Sequence, residues 1–287
     1  MIAILKRELK SYFLTPIGYI YMGAFLLVTG IFFTFINILN QNPQYTGFLG
    51  EVLFIYLFAI PLLTMRLFSE ERRQRTDQLL LTSPVSVAAI VLGKFFAAFV
   101  LYLLTLVVTV SYTLVIAAFG ELAVWETLGS YIGFIFLGAS YITIGVFVSA
   151  GTENQFTAAL VSFFSLLLIW IIDPLISIVP ADTLSGLVFA ALLVLVAGLF
   201  FYVNLKNLYL GIGVVLAGGL IIAALYFWNQ GVFNGLVQTT LSWFSLNKRY
   251  SDFTLGILKV EALFYYTSFS GLFLFLTVRL IEKRRWN

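Results

Sequence analysis

The sequence predicts an all-α, polytopic transmembrane helical bundle with eight spans. Hydrophobic residues make up 61% of the 287-residue chain, whereas charged residues make up 10%. The apolar residues fall in several long runs that are nearly free of charge. A helix of about twenty residues crosses a hydrocarbon core of roughly 30 Å with its backbone groups satisfied internally. These observations together indicate a chain without a large soluble domain.

The eight predicted spans are separated by polar or proline-containing links. We place them at residues 17–39, 52–65, 87–119, 128–150, 156–172, 184–203, 208–227 and 262–281. The third run is longer than a bilayer needs, and Lys94 near its start suggests an extension into the cytoplasm. The second and fifth runs are short, and we expect Pro61 and the Asp173-Pro174 pair to kink or end them.

Positive charge is expected to set the orientation of these spans. An even number of spans places both termini on one side, which would then carry thirteen of the sixteen lysine and arginine residues. Because basic residues collect in cytoplasmic loops, we expect a plasma-membrane protein with both termini in the cytoplasm. The basic start lacks a cleavage site, so the first span should stay in the mature protein. Tryptophans would then lie at both interfaces, with Trp125, Trp228 and Trp243 outside and Trp286 inside.

Two segments outside the spans have an apolar face. Residues 1–14 predict an amphipathic helix on the inner leaflet, with its lysines and arginine opposite an apolar face made of Ile2, Leu5, Leu9, Tyr12 and Phe13. Residues 231–261 are expected outside, where a helical stripe should hold them on the outer interface. That stripe comprises Phe233, Leu236, Val237, Leu241 and Phe244.

The segment at residues 66–84, between the second and third spans, concentrates charge in RLFSEERRQRTD. Ser69 is a candidate N-cap for a helix whose first turn carries Glu70 and Glu71, where acids suit the helix dipole. Leucines follow, and a Ser-Pro pair should end the run. Leucines at the end of a cytosolic helix need a partner or the bilayer interface to cover them. The alternative is a solvated loop whose charges only enforce topology.

Several classes of chemistry are excluded. The chain has no cysteine and no histidine, which removes thiol nucleophiles, disulfides, the usual zinc sites and conventional catalytic triads. No stretch matches the phosphate-binding pattern G-x-x-x-x-G-K-[ST]. The ionisable residues of the spans lie near span ends, which disfavours a proton-coupled carrier. We therefore predict no catalytic, cofactor or metal site in this chain and no binding of nucleic acid.

Two local patterns have structural interpretations. Thr152 and Gln155 have the spacing of a capping box before the fifth span. Gly129, Gly133 and Gly138 should permit close approach between helices.

Four stretches carry a resemblance to a known family. TDQLLLTSPVSVAAIVLGK resembles the cytosolic coupling-helix segment of ABC-2-type transporter permeases, whose usual form runs G-T-x-E, leucines, T-x-P-[VL]-S and a hydrophobic stretch ending in L-G-K. GTENQFTAAL resembles that family's loop before the fifth span, and LKRELKSYFLTPIGYIY is similar to its N terminus. LFLFLTVRLIEKRRW looks like the C-terminal ending of the family's gliding-motility-type branch. The resemblance covers residues 1–172 and 256–286.

The chain also departs from the family pattern. Arg75 stands where the family commonly has glycine, and Gln78 stands where it commonly has glutamate. Residues 184–227 add two apolar segments to the usual six spans. We therefore predict a six-span core plus a two-span hairpin, all within a single permease domain of residues 1–287.

The resemblance implies the permease subunit of an ATP-driven exporter. Its partners would be a second permease copy or a homologous permease, the lipid bilayer, and a separate ABC ATPase that binds ATP and Mg. An auxiliary membrane subunit is a possible further partner. Residues 69–84 would form the coupling helix seated in a groove of the ATPase, in contact through Glu70, Glu71, Arg72, Arg73, Thr76, Asp77, Leu79 and Leu80. The N-terminal helix and the loop at Thr152 are further candidate contacts, and the external stripe would act as a lid.

Two other functional classes are alternatives to this prediction. They are a secondary transporter or channel subunit and a non-transporting membrane scaffold. Neither explains the leucines of the cytosolic helix, and we find no internal repeat of the kind that carriers have. The apolar spans favour a lipid-like, peptide or amphiphilic cargo over a small ion.

Overall fold

A computed structural model describes residues 1–76 and 85–285. Within these ranges all regular structure is helical, and eight helices are long and apolar enough to cross a membrane. The predicted all-α polytopic bundle is therefore confirmed. Three of the predicted interface tryptophans, Trp125, Trp228 and Trp243, are exposed, and Trp286 lies outside the described residues.

The helices follow one another with short links. In chain order they are α1 (Ile2–Leu14), α2 (Pro16–Phe33), α3 (Tyr45–Glu51), α4 (Tyr56–Thr64), α5 (Ser69–Arg73), α6 (Val87–Phe119), α7 (Val124–Gly151), α8 (Gln155–Ile178), α9 (Thr183–Leu205), α10 (Leu208–Trp228), α11 (Leu236–Phe244), α12 (Asn247–Thr254) and α13 (Val260–Arg285). A π-helical turn, Thr34–Leu39, continues α2, and 3-10 turns lie at Val52–Ile55 and Gln230–Phe233.

The second and fifth spans are longer than predicted. The second runs over Tyr45–Arg73 as a succession of α-helical and 3-10 segments, and Pro61 lies inside α4. The fifth continues through Pro174 to the end of α8. The helix therefore does not end at that proline, which was one of the two expected outcomes. Continuing the helix keeps the following backbone groups paired where the surroundings are apolar. The Ser177 hydroxyl also donates to the Pro174 carbonyl at 2.7 Å.

The chain clusters into two compact units. The first is Met1–Leu168 with Leu246–Asn287, and the second is Ile169–Ser245. The core of the first unit contains paired tyrosines: the Tyr56 and Tyr102 hydroxyls lie 2.7 Å apart, and each lies within 2.9 Å of the Phe134 carbonyl. Such pairing is needed because a polar group in an apolar layer is costly when it lacks a partner.

Glycines bring the helices of the first unit close together. A Cβ atom at Gly138 would come 2.4 Å from the Tyr102 hydroxyl oxygen. At Gly129 and Gly133 it would come 2.7 Å from atoms of Phe253 in α12. The predicted use of these glycines for close helix approach is confirmed.

The second unit contains a tight hairpin of α9 and α10. Gly198 faces Val215 and Gly218 faces Val194, so each contact pairs a glycine with a valine of the other helix. Lys206 turns the chain in the left-handed region with φ of 49°. The Asn207 side chain then caps α10 by accepting from the Tyr209 and Leu210 N–H groups.

Candidate functional site

The charged segment that follows α4 forms the short helix α5, whose first N–H groups are satisfied by another helix. Ser149 Oγ in α7 accepts from the backbone N–H of Phe68 at 3.1 Å and of Ser69 at 3.4 Å. The Ser69 hydroxyl instead donates back to the Met65 carbonyl. The expectation that Ser69 caps this helix is therefore wrong, because Ser69 is already its first residue. A tertiary contact supplies the acceptor.

Four charged side chains beside α5 form a closed ring. The Arg7 guanidinium lies 2.5 Å from a carboxylate oxygen of Glu8 and 2.5 Å from one of Glu71. The Lys94 ammonium lies 3.1 Å from Glu8 and 3.0 Å from Glu71. The signs alternate, so each carboxylate contacts two cations and the ring carries no net charge. This four-charge ring joins α1, α5 and α6.

Lys94 is the buried member of the ring. Its side chain is 1% exposed, whereas the two carboxylates are 13% and 20% exposed. Its Nζ also donates to the Leu67 carbonyl at 2.5 Å. Three acceptors match the three N–H donors of an ammonium group, which is how a buried charge is tolerated. Lys94 therefore does not lie in water as part of a cytoplasmic extension, because α1 covers it.

Arg7 closes the ring on its more exposed side. Burial lowers the pKa of Arg7, but hydrogen bonds and Coulomb attraction from Glu8 and Glu71 raise it further, so the pKa lies above the ordinary value. A guanidinium is already protonated across the physiological pH range. Arg7 is therefore a permanent cation at physiological pH.

The position of α1 follows from close packing on α6. Ile4, Glu8 and Tyr12 share one face at four-residue spacing, and Ile4 and Tyr12 are buried. Gly93 makes room for this face, since a Cβ there would lie 2.9 Å from Ile4 Cγ2. The Tyr12 hydroxyl donates to the Leu63 carbonyl at 2.7 Å, and burial raises the Tyr12 pKa, so this donor stays neutral.

The packed face of α1 differs from the predicted apolar face. Ile2 is exposed, and Leu5, Leu9 and Phe13 are half-buried. The packed face includes Glu8, whose carboxylate pairs with Lys94 of α6. The distribution of hydrophobic residues along α1 does not predict this contact.

A second ionic contact attaches α5 to the loop between α7 and α8. The Arg72 guanidinium lies 2.5 Å from the Glu153 carboxylate and 3.4 Å from the Gly151 carbonyl. Glu153 is exposed, so this pair contributes about 0–1 kcal/mol to stability. Its importance is geometric, since it connects α5 to the end of α7.

The loop at 151–155 does not form the predicted capping box. Gln155 is the first residue of α8, and Thr152 directly follows α7. Asn154 takes the capping role, because its Oδ1 accepts from the Phe156 N–H at 2.9 Å.

The predicted coupling residues that the structure describes divide into two groups. Glu71 and Arg72 form the ion pairs given above, and Glu70 forms a bidentate pair with Arg66 at 2.5 and 2.7 Å. Arg73 and Thr76 are exposed. The remaining three lie outside the described residues: Asp77, Leu79 and Leu80.

Arg75 has a backbone conformation that favours glycine. Its φ is 57°, in the left-handed region, which costs a residue with a Cβ atom roughly 1–2 kcal/mol. Arg75 is the position at which the resembling family segment commonly has glycine. The departure in sequence is therefore accompanied by backbone strain.

Sequence reasoning missed several residues of this site. Glu8 carried a detectable signal, since it falls four residues from both Ile4 and Tyr12 on one helix face. Lys94 carried another, because a lysine within a long apolar run needs a charged or backbone partner. Ser149 carried no signal, as its role arises from a contact between distant parts of the chain.

The predicted lid residues are unequally buried within the second unit. Phe233 is buried, Leu236, Val237 and Leu241 are half-buried, and Phe244 is exposed. The stripe is therefore partly covered by its own unit.

Hydrogen bonds attach the start of α11 to the link between α8 and α9. The Gly235 N–H donates to the Ala181 carbonyl at 3.0 Å. The Gln238 side chain donates to the Val179 carbonyl at 2.9 Å. The predicted lid segment is thus held at one end by the chain that precedes α9.

The described residues contain no group of three or more His, Cys, Asp or Glu side chains able to hold a metal ion. The site is instead a set of ion pairs and hydrogen bonds between helices. Its arrangement can hold elements together and transmit movement from one to another.

Comparison with known families identifies the class of membrane protein. The sequence profile described as ABC-2 family transporter protein matches residues 33–181, or 149 of the 287 residues. The matched region contains α5, Lys94 and Glu153. A search of curated proteins finds no match. The eight membrane-length helices and the profile match agree with a multi-pass permease of ABC type, and the chain belongs to the ABC-2 transporter family.

Proposed function

We propose that this permease is the membrane-spanning subunit of an ATP-driven exporter. It works as a dimer, with a second copy or a homologous permease, and a separate ATPase binds ATP and Mg. Family membership supports this division of labour, since ABC-2 permeases are membrane domains that typically work with an ABC ATPase. The missing phosphate-binding pattern in this sequence also supports it.

The contacts of α5 are the observation that carries the proposal. The four-charge ring links α5 to α1 and α6, and Arg72 with Ser149 links it to α7. Charge-assisted contacts are directional, so a displacement of α5 is passed to three neighbouring helices. Arg73 and Thr76 remain on the exposed side of this segment. We assign them, with the predicted Asp77, Leu79 and Leu80, to the surface that meets the ATPase.

The binding of the ATPase is tested at the leucines. Leu79→Asp combined with Leu80→Asp should abolish co-purification of the ATPase from mild detergent and leave membrane insertion intact, because each buried leucine contributes about 1.5–3 kcal/mol. Leu258→Asp, at an exposed leucine elsewhere in the chain, is the matched control. If the doubly charged variant still retains the ATPase, the interface lies elsewhere. If wild-type protein retains no ATP-binding partner, the function itself is refuted.

The coupling route is tested without knowledge of the substrate. The chain has no cysteine, so Ser251→Cys, at an exposed position of α12, provides a single thiol for an impermeant maleimide. In the assembled complex, ATP should change its labelling rate. Glu71→Gln should remove this response while the ATPase remains bound. Glu282→Gln, which breaks a surface pair with Arg279, should retain the response. Equal labelling responses in the two variants would contradict the proposed coupling through Glu71.

We propose that α11 and its stripe form an external lid. Partial burial of the stripe and its anchoring hydrogen bonds support a segment that moves as a unit. Leu236→Lys with Leu241→Lys should loosen closure and raise basal ATP hydrolysis in the complex. Leu255→Lys is the control, because it places the same charge at an exposed leucine outside the stripe. Unchanged basal hydrolysis and leak in the double variant would leave the segment as a connector.

Two finer assignments rest on sequence. The positive charge distribution favours cytoplasmic termini in the plasma membrane. The ending LFLFLTVRLIEKRRW favours the gliding-motility-type branch, in which an auxiliary membrane subunit is an additional candidate partner.

A further inference from the structure

Two exposed lysines of α1 have no acidic partner within the described part of the chain. Lys6 and Lys10 are exposed, and neither forms an ion pair or a hydrogen bond with the described residues. The carboxylates of α1 and α5 are already paired with other cations, since two belong to the four-charge ring and Glu70 pairs with Arg66. These two helices therefore leave both ammonium groups without a counter-charge.

The two lysines face away from the packed side of α1. They lie two residues before and after Glu8, so each is roughly 160° from it around the helix. Glu8 contacts Lys94 of α6, and Lys6 and Lys10 therefore project outward from the bundle. The helix α5 lies beside Arg7, on a different flank of α1. The lysines are thus clear of the proposed coupling contacts.

Packing on α6 places α1 at the depth of the lipid headgroups. The helix α6 has 33 residues and a length of about 50 Å, which exceeds a hydrocarbon core of roughly 30 Å. Its first turns therefore lie near the edge of the core. Gly93, against which Ile4 packs, belongs to the second of these turns. The span α2 begins at Pro16, directly after α1, so the end of α1 adjoins the bilayer.

An apolar groove lies at the corner between α1 and α2, next to the lysines. Its volume is about 560 Å³, and it is lined by Leu14, Thr15, Pro16, Tyr19 and Ile20. Leu14 is 73% exposed and follows Lys10 by four residues, so the two side chains are neighbours on one helix face. The corner therefore combines unpaired cations with an apolar surface one helical turn away.

We propose that this corner binds an anionic phospholipid, whose phosphate lies between Lys6 and Lys10 and whose acyl chain packs on Leu14 and Ile20. The charges identify the headgroup, because lysines at the membrane surface attract anionic lipids. The groove favours a lipid over a free anion, since an inorganic anion would leave the apolar surface uncovered. The site uses no residue of the coupling contacts, so its test is independent of the proposed exporter function.

The experiment uses the purified full chain in nanodiscs of phosphatidylcholine. The probe is a phosphatidylglycerol with a diazirine in one acyl chain, and the control probe is the phosphatidylcholine with the same chains. After illumination, peptide mass spectrometry should map the phosphatidylglycerol to residues 14–20. Labelling there by the control probe should be about tenfold lower or less, because each lysine favours an anionic headgroup about fivefold. Equal labelling by the two probes would overturn the proposal.

Matched variants test the lysines. Lys6→Gln combined with Lys10→Gln should lower phosphatidylglycerol labelling at residues 14–20 about tenfold or more and leave labelling by the control probe unchanged. Lys206→Gln combined with Lys283→Gln is the control, because it removes the same charge from exposed lysines elsewhere in the chain. This control should label as wild type does. An equal loss in both double variants would indicate a general attraction of a basic chain for anionic lipid and would overturn the site.

Two further measurements exclude other occupants of the lysine face. Inorganic phosphate in excess, at matched ionic strength, should leave phosphatidylglycerol labelling unchanged, and displacement would show a site for free anions. In the complex with the ATPase, Lys6→Gln with Lys10→Gln should retain the ATPase in mild detergent. Loss of the ATPase with lipid labelling unchanged would assign these lysines to the protein partner and overturn the proposal.

Discussion

Replacing Lys94 with methionine measures what the four-charge ring contributes to stability. Methionine is unbranched and flexible, so the stem of the side chain remains packed while the ammonium is lost. Glu8 and Glu71 then face each other, and Arg7 is their remaining neighbour from the ring. The variant therefore leaves two partly buried carboxylates with one cation.

The expected cost follows from burial and pairing. Removing one partner of a buried ion pair costs about 3–5 kcal/mol, because the other charge stays buried without compensation. The two carboxylates keep 13% and 20% exposure and retain Arg7, so we expect the lower end, about 3 kcal/mol. Combining Lys94→Met with Glu8→Gln leaves Glu71 paired with Arg7, and we expect this double variant to cost only about 1–2 kcal/mol.

Reversible unfolding by SDS titration in mixed micelles gives the free energy of unfolding for each variant. Arg279→Met is the control, because it breaks a surface pair with Glu282 and should cost about 0–1 kcal/mol. The reasoning is refuted if Lys94→Met costs no more than this control. It is also refuted if the double variant costs the full sum of its two single variants.

Three further predictions concern backbone, packing and topology. Arg75→Gly relieves a left-handed residue and should raise the free energy of unfolding by about 0.5–1 kcal/mol in the same titration; a decrease would contradict the strain. Gly138→Leu inserts a side chain into a tight helix contact and should lower the free energy of unfolding by about 1–3 kcal/mol or more. Gly23→Leu is the control, because a Cβ there meets no atom of the described chain within 4 Å. It should change the free energy of unfolding by about 0.5 kcal/mol or less. A cysteine from Asn207→Cys should be shielded from an external impermeant reagent, whereas one from Ser251→Cys should react. External labelling at position 207 would contradict the predicted topology.

The apolar runs of the sequence were sufficient to predict the fold class. Most of the runs are long enough to span a bilayer, and a chain in hydrocarbon must satisfy its backbone groups within each helix. The third span, Val87–Phe119, has the predicted bounds. Glycines such as Gly138 were correctly read as contact positions, because a missing side chain has the same effect in any packed helix pair.

Local patterns were less reliable where a distant residue supplies the partner. Ser69 and Thr152 have the residue types of helix caps, yet Ser149 and Asn154 accept those bonds. Capping signals report what a side chain is able to do. The position of the helix end decides whether that side chain accepts the N–H bonds of the first turn.

Only the tertiary structure decided the composition of the four-charge ring and the surroundings of the Asn37 side chain. Arg7 and Glu8 come from the first helix, Glu71 from α5 and Lys94 from α6, so no local window of sequence contains the ring. The free acceptor at Asn37, within the described part of the chain, likewise depends on how the following loop folds back. The physical reason is the same for both: hydrophobic length is a property of each segment, whereas the pairing of buried polar groups is a property of the contacts between segments.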